Sequence, residues 1–116
     1  GGAGAARFNG NYVGRFCQPA YETHPPLCWR ATVVVTNGSL SGQYVSSRTG
    51  GVNTWSGAVS ASGGVDMHYD GVSSQVAPGT RATARLQGTI NGTVMEVAGR
   101  WSRVDRALTG RFVRQE

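Results

Sequence analysis

The chain has 116 residues, 18 glycines, eleven arginines, no lysine and a formal net charge of +5. That is one domain's length of chain, enough to bury a single core. The glycines follow no collagen period and alternate with apolar residues, which excludes a fibrous or disordered polymer, and no apolar run approaches the ~18 residues of a membrane helix.

The opening Gly1-Gly2-Ala3-Gly4-Ala5-Ala6 offers no core-forming side chain. Residues 1–8 therefore read as a flexible leader, and 9–116 as a single domain. Within that domain, turn signals recur at Asn9-Gly10, Asn37-Gly38, Gly50-Gly51, Gly63-Gly64, Pro78-Gly79 and Asn91-Gly92. Asn-Gly marks tight hairpins because both residues tolerate positive φ. Between the signals, apolar and polar residues alternate with period 2. The alternation predicts eight strands at 10–17, 28–36, 39–47, 53–61, 64–71, 81–90, 93–103 and 107–114. Short connections make sequential strands antiparallel neighbours, so the fold class is all-β, an up-and-down meander. Closing it into a small barrel would remove both sheet edges. The echo of Gly14-Arg15-Phe16 in Gly110-Arg111-Phe112 favours pairing of the first and last strands.

Six units share one pattern, with a glycine flanked two residues away on each side by a large apolar residue. They are Tyr12/Gly14/Phe16, Leu40/Gly42/Tyr44, Trp55/Gly57/Val59, Leu86/Gly88/Ile90, Val97/Gly99/Trp101 and Leu108/Gly110/Phe112. Positions i, i+2 and i+4 of a strand share a face, so each unit sets large, glycine, large on one side of the sheet. Glycine inside a strand marks a bend or a close approach, as coiled barrel strands require. The units read as architecture, with side chains sufficient to fill a barrel.

After the first strand, Cys17 and Cys28 flank Gln18-Pro19-Ala20-Tyr21-Glu22-Thr23-His24-Pro25-Pro26-Leu27. Two cysteines around a short proline-rich loop suit a disulfide at its base, against two buried free thiols; the disulfide implies a periplasmic or extracellular compartment. The stapled loop, with Tyr21 and His24, is the candidate partner contact. Trp29 and Trp101 alternate with core residues. Trp55, beside Asn53 and Thr54, is a candidate to stack on a sugar or vitamin ring, against a plain core role.

Further along, Asp66, His68 and Asp70 share a strand face and make a candidate divalent-metal set, against a solvated outer face that offsets nearby arginine. Nothing else implies a cofactor. A serine-hydrolase elbow is missing: Gly38-Ser39-Leu40-Ser41-Gly42 has leucine where the nucleophile belongs. The last third is basic, with seven arginines after residue 78 against Glu96, Asp105 and Glu116. Arg100, Arg103 and Arg106 are its candidate partner-binding residues. They suit another exported protein or an acidic surface such as a polysaccharide better than nucleic acid, for which no binding signature is present.

Two resemblances follow from these residues. Tyr12-Val13-Gly14, Cys17, Cys28, Gly99-Arg100-Trp101 and Gly110-Arg111-Phe112 resemble small exported β-meander proteins of proteobacteria, a likeness that implies export and no particular activity. Gly38 to Ser46 is similar to the second hairpin of avidin-like barrels. That resemblance implies a barrel, with Tyr44 and Ser46 as ligand-contacting positions, although Tyr12 stands where that family has tryptophan in its first strand. Three functions are thus in view. The first is a non-catalytic binding or accessory module docking on another exported protein. The others are a small-ligand barrel and an inhibitor of a secreted hydrolase acting through the 18–27 loop.

Overall fold

A computed structural model describes residues 2–45, 50–72, 81–102 and 105–116. Its strands are β1 (Gly10–Gln18), β2 (Leu27–Thr36), β3 (Ser39–Val45), β4 (Val52–Val59), β5 (Gly64–Val72), β6 (Arg81–Asn91), β7 (Val94–Trp101) and β8 (Ala107–Arg114). Each lies within two residues of its expected bounds. They pair antiparallel in chain order, and β8 returns to pair with β1, so the sheet closes as a barrel. The closing seam joins Tyr12–Cys17 to Thr109–Arg114, setting the two echoing segments side by side.

Alternation decides which way each side chain points. The inner face carries Tyr12, Phe16, Val33, Val35, Leu40, Trp55, Met67, Tyr69, Leu86, Met95, Leu108 and Phe112, all nearly inaccessible to water. The outer face is mostly Arg, Asp, Ser, Thr and Gln, the reverse of the apolar outer band of a transmembrane barrel.

The repeat glycines explain how the interior fits. An eight-stranded barrel is just wide enough for its own side chains. Across the strands, each repeat glycine lies opposite a large inward residue. Gly14 faces Phe112, Gly110 faces Phe16, and Gly42 faces Trp55. Gly57 lies between Leu40 and Met67, Gly88 between Val65 and Val97, and Gly99 between Leu86 and Leu108. Large and absent side chains thus interlock around the wall. At Gly14, as at Gly88 and Gly99, the approach is very close: a Cβ there would run into the Arg111 carbonyl and come within 2.7 Å of Phe112 Cα.

The filling is largely aromatic. Phe16 meets Trp55, Tyr69 and Phe112 edge-on at centroid separations of 4.9–5.0 Å. Tyr69 also stacks on Trp55 and meets Trp101 edge-on. Edge-to-face pairs of this kind add to simple area burial. Trp55 lies over Gly42 and donates its indole N–H to the Thr32 carbonyl at 3.2 Å. At that place the β2–β3 ladder ends after three register pairs, Val34–Thr36 against Ser39–Ser41.

Residues 2–8 differ from the unpacked leader expected of them. Gly2–Ala5 make one helical turn, α1, and Ala6–Phe8 a 3-10 turn. Ala5 and Phe8 are buried across the end of the barrel where β1 begins. Phe8 packs on Gly63, and its carbonyl accepts from the Tyr12 hydroxyl at 2.7 Å. Arg7 donates to Ala61 O, and Arg114 donates to Arg7 O. A glycine-rich segment with little helix propensity is held by its one large apolar residue and these ties.

Candidate functional site

One barrel end is closed by Phe8. The other carries the 19–26 loop, the Val45, Val52, Val72, Arg81, Trp101 and Ala107 ends of the remaining strands, and Tyr44 at its rim. The β1–β2 ladder runs to Gln18 opposite Leu27, and Cys17 and Cys28 are direct cross-strand partners joined by a disulfide. Prolines 19, 25 and 26 lack the N–H groups that would extend that ladder. A second closure replaces it. Tyr21 and His24 exchange two backbone hydrogen bonds at 3.0 and 2.8 Å around a turn in which Glu22 takes φ 51°.

Arg106 props this loop from the neighbouring connection. Its guanidinium donates to the Pro19 carbonyl at 2.6 Å and lies 4.9 Å from the Tyr21 ring centroid. Arg106 is only 2% exposed. The residue expected to meet a partner directly is therefore an internal strut, because a buried guanidinium must spend its donors on protein carbonyls and rings. What the strut holds outward is Tyr21, 37% exposed; Leu27, where β2 begins, is 38% exposed. At the same barrel end Val45 and Val52, a register pair, are also exposed, as is Tyr44.

Beneath that rim the barrel is occupied. Trp29 donates its indole N–H to the Tyr69 hydroxyl at 3.1 Å, and Gln18 and Asn53 are buried nearby. Burial is the main cause that raises the Tyr69 pKa well above the ordinary tyrosine range, since the phenolate would be left in an apolar, aromatic setting. Of the candidate ligand contacts, Trp55 is 1% exposed and belongs to the core. Tyr44 stands at the rim, and Ser46 lies outside the described residues. Of the positions the avidin-like hairpin and Trp55 offered, the described ones are thus one rim tyrosine and one core tryptophan.

The candidate metal set is spread along the outer face of β5. Arg85 grips Asp66 with two hydrogen bonds, at 3.1 and 2.9 Å, and Arg81 reaches Asp70 at 2.8 Å. The Arg85 bonds are the first cause that lowers the Asp66 pKa below the usual carboxylate range. His68 sits between them, opposite Ser56 and Arg85. Among the described residues no three His, Cys, Asp or Glu converge on one point. Side chains two apart on a strand diverge unless a neighbour supplies a ligand, and here the neighbouring strand supplies arginine.

The basic residues sort in the same way. Arg100 pairs with Asp105, and Arg103 lies outside the described residues. A different row was not anticipated. Arg30, Arg15 and Arg111 are consecutive cross-strand neighbours on β2, β1 and β8. Two of them, Arg15 and Arg111, stand in Gly-Arg-Phe units, but only the closing register puts those two side by side.

No family model and no curated protein matches this sequence. The solved structure of a redesigned β-barrel is similar to it, with a TM-score of 0.61 over 97% of this chain and 96% of that one, at 16% identity. That likeness concerns the fold.

Proposed function

We propose that this barrel is a non-catalytic binding or accessory module that docks on another exported protein through its stapled end. The observation that carries the reading is the loop itself. A disulfide, a paired turn and a buried arginine hold Tyr21 and Leu27 in place at an end where Tyr44, Val45 and Val52 are also exposed. A pre-ordered loop binds without a large ordering cost, and exposed aromatics make good anchors. The occupied lumen supports a surface role over a small-ligand role. A disulfide with one exposed sulfur-bearing residue, Cys28, suits an oxidising compartment, which agrees with the resemblance to exported proteobacterial proteins.

Photo-crosslinking in the native host tests this. A crosslinker at Thr23 should capture one defined exported protein, whereas one at His68 on the wall should not. The double variant Tyr21→Ala/Leu27→Ser should keep the barrel's circular dichroism and lose that crosslink. Equal capture from both positions, or none from Thr23, would overturn the reading.

A further inference from the structure

Nine arginines lie among the described residues, and six have a stated occupation. Arg81, Arg85 and Arg100 pair with aspartates. Arg7, Arg106 and Arg114 donate to backbone carbonyls. The remaining three, Arg15, Arg30 and Arg111, are all exposed and make no ion pair or side-chain hydrogen bond among the described residues. They are not scattered. Arg15 lies opposite Arg30 in the β1–β2 register and opposite Arg111 in the β1–β8 register. Backbones of such neighbours are about 5 Å apart, so the three charges form one row across the strands.

Like charges directly opposite each other weaken a sheet. The chain has carboxylates to offset arginine, yet it places Asp66 and Asp70 on the far wall beside Arg85 and Arg81. The row also borders a concavity. The outer wall of β1, β8, β7 and β6 forms a cleft of about 720 Å3 lined by Arg15, Arg111, Thr109, Gln87 and Glu96, with no aromatic side chain in its lining.

We propose that this row and cleft bind a linear acidic polysaccharide, with carboxylate or sulfate groups meeting Arg30, Arg15 and Arg111 in turn. Guanidinium forks match such oxyanions bidentately. A lone small anion would engage one or two of them, whereas a polymer with charges at regular intervals uses all three. Thr109 and Gln87 offer hydrogen bonds suited to sugar hydroxyls. Single-stranded nucleic acid would call for exposed aromatic rings on which bases stack, and the cleft lining has none. Glu96 lies opposite Arg111 in register and borders the cleft, so it ends the basic row and sets the direction in which the polymer leaves it.

The experiment is titration of the whole chain with polygalacturonate and with dextran sulfate at low salt. Neutral dextran and an oligothymidylate serve as comparisons. Wild type should bind at least one acidic polysaccharide, with affinity falling as salt is added. Each of Arg15→Gln, Arg30→Gln and Arg111→Gln should weaken binding by roughly threefold, and the triple variant by more than tenfold. Arg81→Gln/Arg85→Gln, which removes two charges that are paired with aspartates and lie outside the cleft lining, should change it by less than twofold. Glu96→Gln should strengthen it. Equal weakening by the Arg81/Arg85 variant would make the effect one of net charge and overturn the site. So would failure of both acidic polysaccharides to bind, or tighter binding of the oligothymidylate.

Discussion

Replacing Gly14 by alanine tests the interlocking of the wall at one of its tightest points. The new methyl would collide with the Arg111 carbonyl and stand 2.7 Å from Phe112 Cα and 2.8 Å from Arg111 C. Carbon atoms in contact prefer about 3.5–4.0 Å, so β8 must retreat by roughly 1 Å. These are backbone atoms of a paired strand, and no rotamer change relieves them. Overpacking of this kind costs about 1–3 kcal/mol. Moving β8 also stretches two or three hydrogen bonds of the seam that closes the barrel, at about 1 kcal/mol each. Alanine's restriction of the unfolded chain returns about 0.4–1 kcal/mol. The net expectation is a loss of about 3–4 kcal/mol, a large share of a typical domain's stability. Urea unfolding followed by tryptophan fluorescence measures it. Gly92→Ala is the comparison, since φ there is +62° but nothing lies within 4 Å of the added methyl. It should cost about 1 kcal/mol from backbone strain alone. If Gly14→Ala costs no more than Gly92→Ala, the close approach of β1 and β8 is not what the repeat glycine provides.

Other outcomes follow from the same geometry. Reducing the Cys17–Cys28 disulfide, which closes a loop of ten intervening residues, should lower stability by about 2–3 kcal/mol in urea unfolding while the far-ultraviolet spectrum of the barrel persists. The triple variant Arg15→Gln/Arg30→Gln/Arg111→Gln should melt higher than wild type in low salt, because like charges in register no longer repel. That gain should shrink at high salt, where the repulsion is already screened. Asp66 has its pKa lowered in the folded state, first by the Arg85 hydrogen bonds. Its contribution to stability is therefore present above its unfolded pKa, near 4, and is lost as pH falls through the lower folded value. Carboxyl NMR should show a titration midpoint for Asp66 below the usual aspartate range, and Arg85→Gln should bring it back. Tyr69 is shifted the other way, upward, by burial. Its contribution is full below the unfolded tyrosine pKa, near 10, and is lost as pH rises beyond it, so alkaline unfolding should begin above that pH. Tyr69→Phe should make the alkaline limb of the stability curve shallower.

Much of the fold was legible in the residues, because alternation and turn chemistry are local. Asn37-Gly38 and Asn91-Gly92 sit at tight hairpins, with Asn37 at φ 49°, Gly38 at φ 86° and Gly92 at φ 62°. Period 2 assigned Trp101 and Leu86 to the interior correctly, and the spacing of Cys17 and Cys28 anticipated their bond. The sites were less legible. Arg106 looks like any surface arginine in Asp105-Arg106-Ala107, and its burial depends on a carbonyl at Pro19 and a ring at Tyr21. Asp66 and Asp70 looked like ligands until β6 set Arg85 and Arg81 beside them. Phe8 was an isolated aromatic after a glycine-rich run, and only the open end of a closed barrel makes it a plug.

By itself, then, the sequence determined the strands, their meander and their inward faces. Each follows from interactions within a few residues of chain or across one short turn. The tertiary structure decided which residues become neighbours around the wall. Gly14 faces Phe112, and Arg15 stands between Arg30 and Arg111, because β8 closes onto β1 across nearly the whole length of the chain. A shift of that register by one residue would turn every inward side chain of a strand outward. Burial of the aromatic core selects the one register that aligns the three arginines.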